Sequence, residues 1–203
     1  MSFSIVTAAV VFGLIFPVEL PDKTFVATLV LATRYRPLLV WIGVASAFAV
    51  QTVVAVALGG VIGQLPRRPV EILAAAMFAI GGVILLRHAS RAAQEEAEAE
   101  EEFAARAAAP ATGLRAIAAS FLILFLAEWG DLSQLLTASL TARYDDPLSV
   151  GVGAFTALAT VSALGAALGK ALLRRVSLVM VRRVGGGVCL LLAALTLAEV
   201  VRG

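Results

Sequence analysis

Six long blocks of almost unbroken apolar residues govern what this chain can fold into. They run over residues 3–33, 38–63, 70–87, 114–142, 148–170 and 176–201. A helix crosses a bilayer with about 20 such residues. The blocks lack the short alternating segments of a membrane β-barrel. They also lack the one-sided stripe of a soluble amphipathic helix. Of the 203 residues, 61% are hydrophobic and only 15% are charged, too apolar for an ordinary soluble domain. The expectation is an all-α polytopic membrane protein with six transmembrane helices. The first block has no basic flank before it and no small-residue cleavage site, so it reads as a permanent span.

The blocks are two copies of one half. At an offset of 109 residues, Phe12 and Phe16 fall on Phe121 and Phe125. Glu19 and Asp22 fall on Glu128 and Asp131, Thr24 on Ser133, Thr28 on Thr137, and Arg34-Tyr35 on Arg143-Tyr144. Hydrophobic drift does not produce matched acids. Each half holds three blocks, and an odd number makes the second half enter the membrane from the opposite side. The chain therefore reads as two inverted three-helix repeats, residues 1–87 and 114–203, joined by an acidic linker over 88–113. Substrate sites in such proteins lie near the midplane, where the repeats meet.

Charge orients the spans. Loops on one side carry 4 basic residues; those on the other, which include the linker, carry 11. The positive-inside bias puts the linker in the cytoplasm and both termini outside, in an inner or plasma membrane.

The chemistry lies in Glu19-Leu20-Pro21-Asp22-Lys23-Thr24 and Glu128-Trp129-Gly130-Asp131-Leu132-Ser133-Gln134. Each stands near the middle of an apolar block. An ionisable side chain there costs at least about 3 kcal/mol, so it is kept for a function. Residues i and i+3 share a helix face, so Glu19 and Asp22 are expected to point the same way, as are Glu128 and Asp131. Clustered carboxylates in a low dielectric need relief, from a bound cation or from protons. A site that holds one or the other exchanges metal for protons. Carboxylates with the hydroxyls of Thr24 and Ser133 and the amide of Gln134 form a hard oxygen set, suited to Ca²⁺, Mn²⁺ or Mg²⁺.

Other residues carry weaker signals. Pro17 and Pro21 deprive the carbonyls of Gly13 and Pro17 of helical partners, which gives either extra oxygen ligands or a simple kink. Lys23 either pairs with a site acid or snorkels away. Gln51 either lines the path or is a satisfied core group. His88 reads as interfacial and Cys189 as a small buried core residue. Gly59-x-x-x-Gly63 and Gly165-x-x-x-Gly169 read as close helix contacts. Gly185-Gly186-Gly187 reads as packing or a kink. The linker acids Glu95, Glu96, Glu98, Glu100, Glu101 and Glu102 read as a solvated helix or a tether; the sharper alternative is an electrostatic attractor for cations.

The paired motifs, in two three-span halves around an acidic linker, resemble the E-x-G-D-[KR]-[ST] family. That family comprises the Golgi manganese/calcium transporters and bacterial manganese exporters, related to the LysE exporters. The resemblance covers essentially the whole chain. It implies Mn²⁺ or Ca²⁺ export in exchange for protons, with Glu19, Asp22, Glu128 and Asp131 as cation ligands and Thr24, Ser133 and Gln134 in support. Two positions depart from the pattern: Pro21 replaces a glycine and Leu132 a basic residue. Export of an amino acid or small organic cation is the competing transport reading. The chain shows no nucleophile with a base and no zinc-ligand spacing, so no enzyme is expected. No cofactor is expected besides the transported ion and protons. The partners expected are the metal and membrane lipid, with no nucleic acid.

Overall fold

The computed structural model describes residues 3–20, 23–107, 111–173 and 178–202. Among them the chain is helical throughout. The helices are α1 (Ile5–Glu19), α2 (Lys23–Arg34), α3 (Pro37–Ile62), α4 (Arg67–His88), α5 (Ala92–Arg106), α6 (Leu114–Ala127), α7 (Leu132–Tyr144), α8 (Pro147–Leu173) and α9 (Leu178–Arg202). Three helices are long and apolar enough to cross a membrane: Pro37–Ile62, Arg68–Arg91 and Pro147–Ala167. Two more candidate spans are helix pairs, α1 with α2 and α6 with α7, bent by 71° and 74° at short breaks. That makes three to five candidate spans among the described residues. In α9, the apolar stretch Arg183–Ala198 falls short of the same length.

The breaks fall on the two acidic motifs. This corrects the single-face expectation: Glu128 ends α6 as its C-cap and Asp131 begins α7 as its N-cap, so no continuous turn links them. Likewise Glu19 is the last residue of α1, and α2 starts at Lys23. Pro21 and Asp22 lie outside the described residues, as does the side chain of Lys23.

Each bent pair is seated on a long helix of the other half. A Cβ at Gly43 of α3 would meet the Ile117 carbonyl oxygen and, at 2.9 Å, the Ser120 Cβ. A Cβ at Gly59 would meet the Ala138 carbonyl oxygen and, at 2.6 Å, the Thr141 Cβ. Only glycine lets α3 lie this close to α6 and α7. On α8, Gly153 faces Ala8 and Val11 of α1, and Gly165 faces Phe25 and Thr28 of α2. The break in each pair thus lies between two glycine seats, beside the middle of an unbroken helix.

The matching helices α4 and α9 cross each other directly. A Cβ at Gly82 would lie 2.8 Å from Leu190 Cγ, and one at Gly186 would lie 2.8 Å from Leu86 Cγ. As α4 rises from 82 to 86, its partner on α9 falls from 190 to 186, so these equivalent helices run antiparallel. Gly185 lies against the Pro17 carbonyl oxygen of α1, and α9 continues unbroken through all three glycines. The glycine run is a packing surface.

The linker is an ordered helix for most of its length. Ala99, Phe103 and Ala107 stand four residues apart and are buried, with α5 packed mainly on α2. Glu98, Glu100, Glu101 and Glu102 face outward. His88 pairs with Glu95 at 2.7 Å and Arg106 with Glu102 at 2.6 Å. Cys189 is a free, buried thiol, as expected of a core residue.

Candidate cation site at the two helix breaks

Glu19 and Glu128 are 1% and 3% exposed, so both motif glutamates are withdrawn from solvent and lipid alike. Burying a carboxylate is costly unless a counter-charge, hydrogen bonds or a proton compensate it. The neighbouring hydroxyls are buried too: Thr24 and Thr28 in the first half, Ser133 and Thr137 in the second. Thr28 Oγ1 donates to the Thr24 carbonyl at 2.8 Å, and Thr137 Oγ1 donates to the Ser133 carbonyl at 2.7 Å. This is the same bond at repeat-related positions.

The second break is built around Asp131. Its Oδ1 accepts the Gln134 backbone N–H at 3.0 Å, and its Oδ2 accepts Ser133 Oγ–H at 2.7 Å. These bonds satisfy donors at the N-terminus of α7. Gly130 makes the turn with φ 77°, a conformation glycine adopts without a Cβ penalty. Gln134 spans the break: its Nε2 donates to the Glu128 carbonyl at 2.7 Å and its Oε1 accepts the Gly130 N–H at 3.2 Å. A proline cannot take the φ of Gly130, whose repeat-related position is Pro21 in the sequence.

Thr24 Oγ1 differs from its counterpart Ser133: it is buried with no hydrogen-bond partner among the described residues. Gln51, on α3, is buried and donates Nε2 to the Phe125 carbonyl at 3.2 Å. It is therefore a satisfied group packed beside the motif. Among the described residues, no three His, Cys, Asp or Glu side chains gather closely enough to hold a metal ion. Both Asp131 oxygens accept bonds at the start of α7. Asp22, the fourth predicted acid, lies outside the described residues.

Similarity to known proteins bears on these two buried glutamates at matched breaks. A family model described as divalent cation/proton antiporter GDT1 matches residues 7–93 and 116–203. The chain belongs to the GDT1 divalent cation/proton antiporter family. The match falls on both halves and leaves out most of α5. The chain is 36% identical over 210 residues to "GDT1-like protein 1, chloroplastic" of Oryza sativa subsp. indica, covering 94% of this chain and 61% of the relative. It is 33% identical over 179 residues to "GDT1-like protein sll0615" of Synechocystis, covering 83% of this chain and 85% of the relative. It is 33% identical over 208 residues to "Protein PAM71, chloroplastic" of Arabidopsis thaliana, covering 94% of this chain and 56% of the relative. The chain thus spans about six-tenths of the length of the rice relative. No solved structure matches it. The family is one of membrane transporters, not enzymes.

Proposed function

We propose that the chain exports a divalent cation, Mn²⁺ or Ca²⁺, from the cytoplasm in exchange for protons. The observation that carries this reading is the pair of buried glutamates, Glu19 and Glu128, each ending a helix at a break inside an apolar span. Family membership supports the same chemistry.

The proposed site joins Glu19 and Asp22 from one half with Glu128 and Asp131 from the other. Thr24, Ser133 and Gln134 support it, the last two by holding Asp131 and the turn. A carboxylate has about four lone-pair directions, so Asp131 can cap α7 and still face a cation. Protons neutralise the same acids when the metal leaves, which is why one site serves both ions. Neither His nor Cys belongs to either motif, so Zn²⁺ and Cu⁺ fit the ligand set poorly.

The proposed topology is six spans in two inverted repeats, residues 1–87 and 114–203, with the bent pairs as spans one and four and α9 as span six. The antiparallel crossing of α4 and α9 supports inversion. The linker over 88–113 is placed in the cytoplasm and both termini outside, in an inner or plasma membrane, on the asymmetry of basic residues.

The test is Mn²⁺ and Ca²⁺ flux into proteoliposomes under an imposed pH gradient, for wild type, Glu19→Gln and Glu128→Gln. The proposal requires gradient-driven flux in the wild type and its loss in both variants. Folded wild-type protein that moves neither ion would end it; flux inhibited by amino acids but not by Mn²⁺ would replace it with organic-cation export.

A further inference from the structure

The two repeats differ in sequence at the residues that tie the second break. At the second break, two amide side chains hold the backbone. Gln51 reaches from the middle of α3 to the Phe125 carbonyl, one turn before Glu128. That carbonyl lacks a helical partner because α6 stops at Ala127. Gln134 holds the other side, through the Glu128 carbonyl and the Gly130 N–H. At the first break, both matching positions are apolar. Phe25 stands at the repeat position of Gln134, at the offset of 109. Val161 stands at the position of Gln51, at the offset of 110 that relates the glycine seats Gly43 and Gly153. Neither side chain can donate or accept a hydrogen bond.

We propose that Gln51 is a positioning residue of the second motif. With Gln134 it pins the α6–α7 break, so Glu128 and Asp131 sit on a stiff backbone. The Gln51 side chain that makes the bond is buried. The consequence for flux rests on the transport reading above; the pinning does not.

The test uses Gln51→Met, which keeps the length and bulk of the side chain and removes the donor. Hydrogen exchange is read by peptide on the full chain in nanodiscs, beside Mn²⁺ flux kinetics in proteoliposomes. Exchange over 125–135 should rise roughly tenfold, the population change expected from losing one buried hydrogen bond. Exchange in α8 and α9 should stay at the wild-type rate. The Mn²⁺ KM should rise several-fold while the maximal rate changes less. Ser46→Ala, on the same helix but exposed, should match the wild type throughout.

A uniform rise across all helices would make Gln51 a general structural residue and overturn the proposal. So would unchanged exchange at 125–135. Gln134→Met removes the second pin and repeats the test if Gln51→Met does not fold. If the wild type carries no metal, the transport reading falls, and the exchange data still decide the pinning.

Discussion

Gly59 and Gly60 are neighbours on α3, and the account predicts opposite effects for the same substitution. A Cβ at Gly60 meets nothing within 4 Å, whereas at Gly59 it would meet the Ala138 carbonyl oxygen, with the Ala138 Cα at 3.0 Å and the Thr141 Cβ at 2.6 Å. Both changes gain helix propensity, about 0.8–1.0 kcal/mol in a helix interior. Only Gly59→Ala must push a neighbouring backbone aside, and overpacking of this kind costs about 1–3 kcal/mol. The blocking atom at Gly59 is the backbone of α7, which cannot swing away as a side chain can. Gly59→Ala should therefore be less stable than Gly60→Ala by about the overpacking cost, or about 2–12 °C in melting temperature for a chain of this size. Thermal unfolding followed by fluorescence-detected size exclusion in one detergent reads the difference. Because α7 begins at Asp131, Gly59→Ala should also weaken cation flux. Equal melting temperatures for the two variants would refute the glycine-seat argument.

Three further outcomes follow from the same geometry. Asp131→Asn keeps an N-cap acceptor for Gln134 and loses the charge, so it should melt within about 1 °C of wild type yet carry no metal; Asp131→Ala should lose flux and also about 0.5–2 kcal/mol of stability. Phe103→Ala removes the buried anchor of α5, and an isolated helix of this length is marginal in water; limited proteolysis should then cut within 92–107 while the membrane core melts unchanged. Converting the outward-facing Glu98, Glu100, Glu101 and Glu102 to Gln tests the attractor reading without disturbing that anchor: a higher KM at low salt that converges with wild type at high salt supports it, and identical kinetics at both salts reject it.

Much of this architecture is written plainly in the chain. The repeat is legible because Glu19, Asp22, Glu128 and Asp131 recur at one offset among residues that otherwise drift freely. Close packing was legible too, since Gly59 and Gly165 meet the opposite half as the small-residue pattern implied. The breaks were only half legible. Both motifs read as helix faces, with Pro17 and Pro21 as a source of either extra oxygen ligands or a kink in the first; α1 runs through Pro17 to Glu19, and the second motif has no proline. Its signal was a different one: Asp131-Leu132-Ser133-Gln134 has the form of a helix-capping box, and Asp131 does cap Gln134. The role of Gln51 was hidden, because the Phe125 carbonyl is available only once α6 has stopped. The docking of α5 was carried by Ala99, Phe103 and Ala107, a helical stripe that a run of glutamates obscured.

The central claim is that acids from both halves make one shared cation site. Equilibrium Mn²⁺ binding to the purified chain, counted as ions per chain, tests it most directly. The account predicts one Mn²⁺ per chain, released as protons bind, and lost entirely in either Glu19→Gln or Glu128→Gln. Two independent ions, of which each variant removes one and leaves the other, would contradict it and make each half a site of its own.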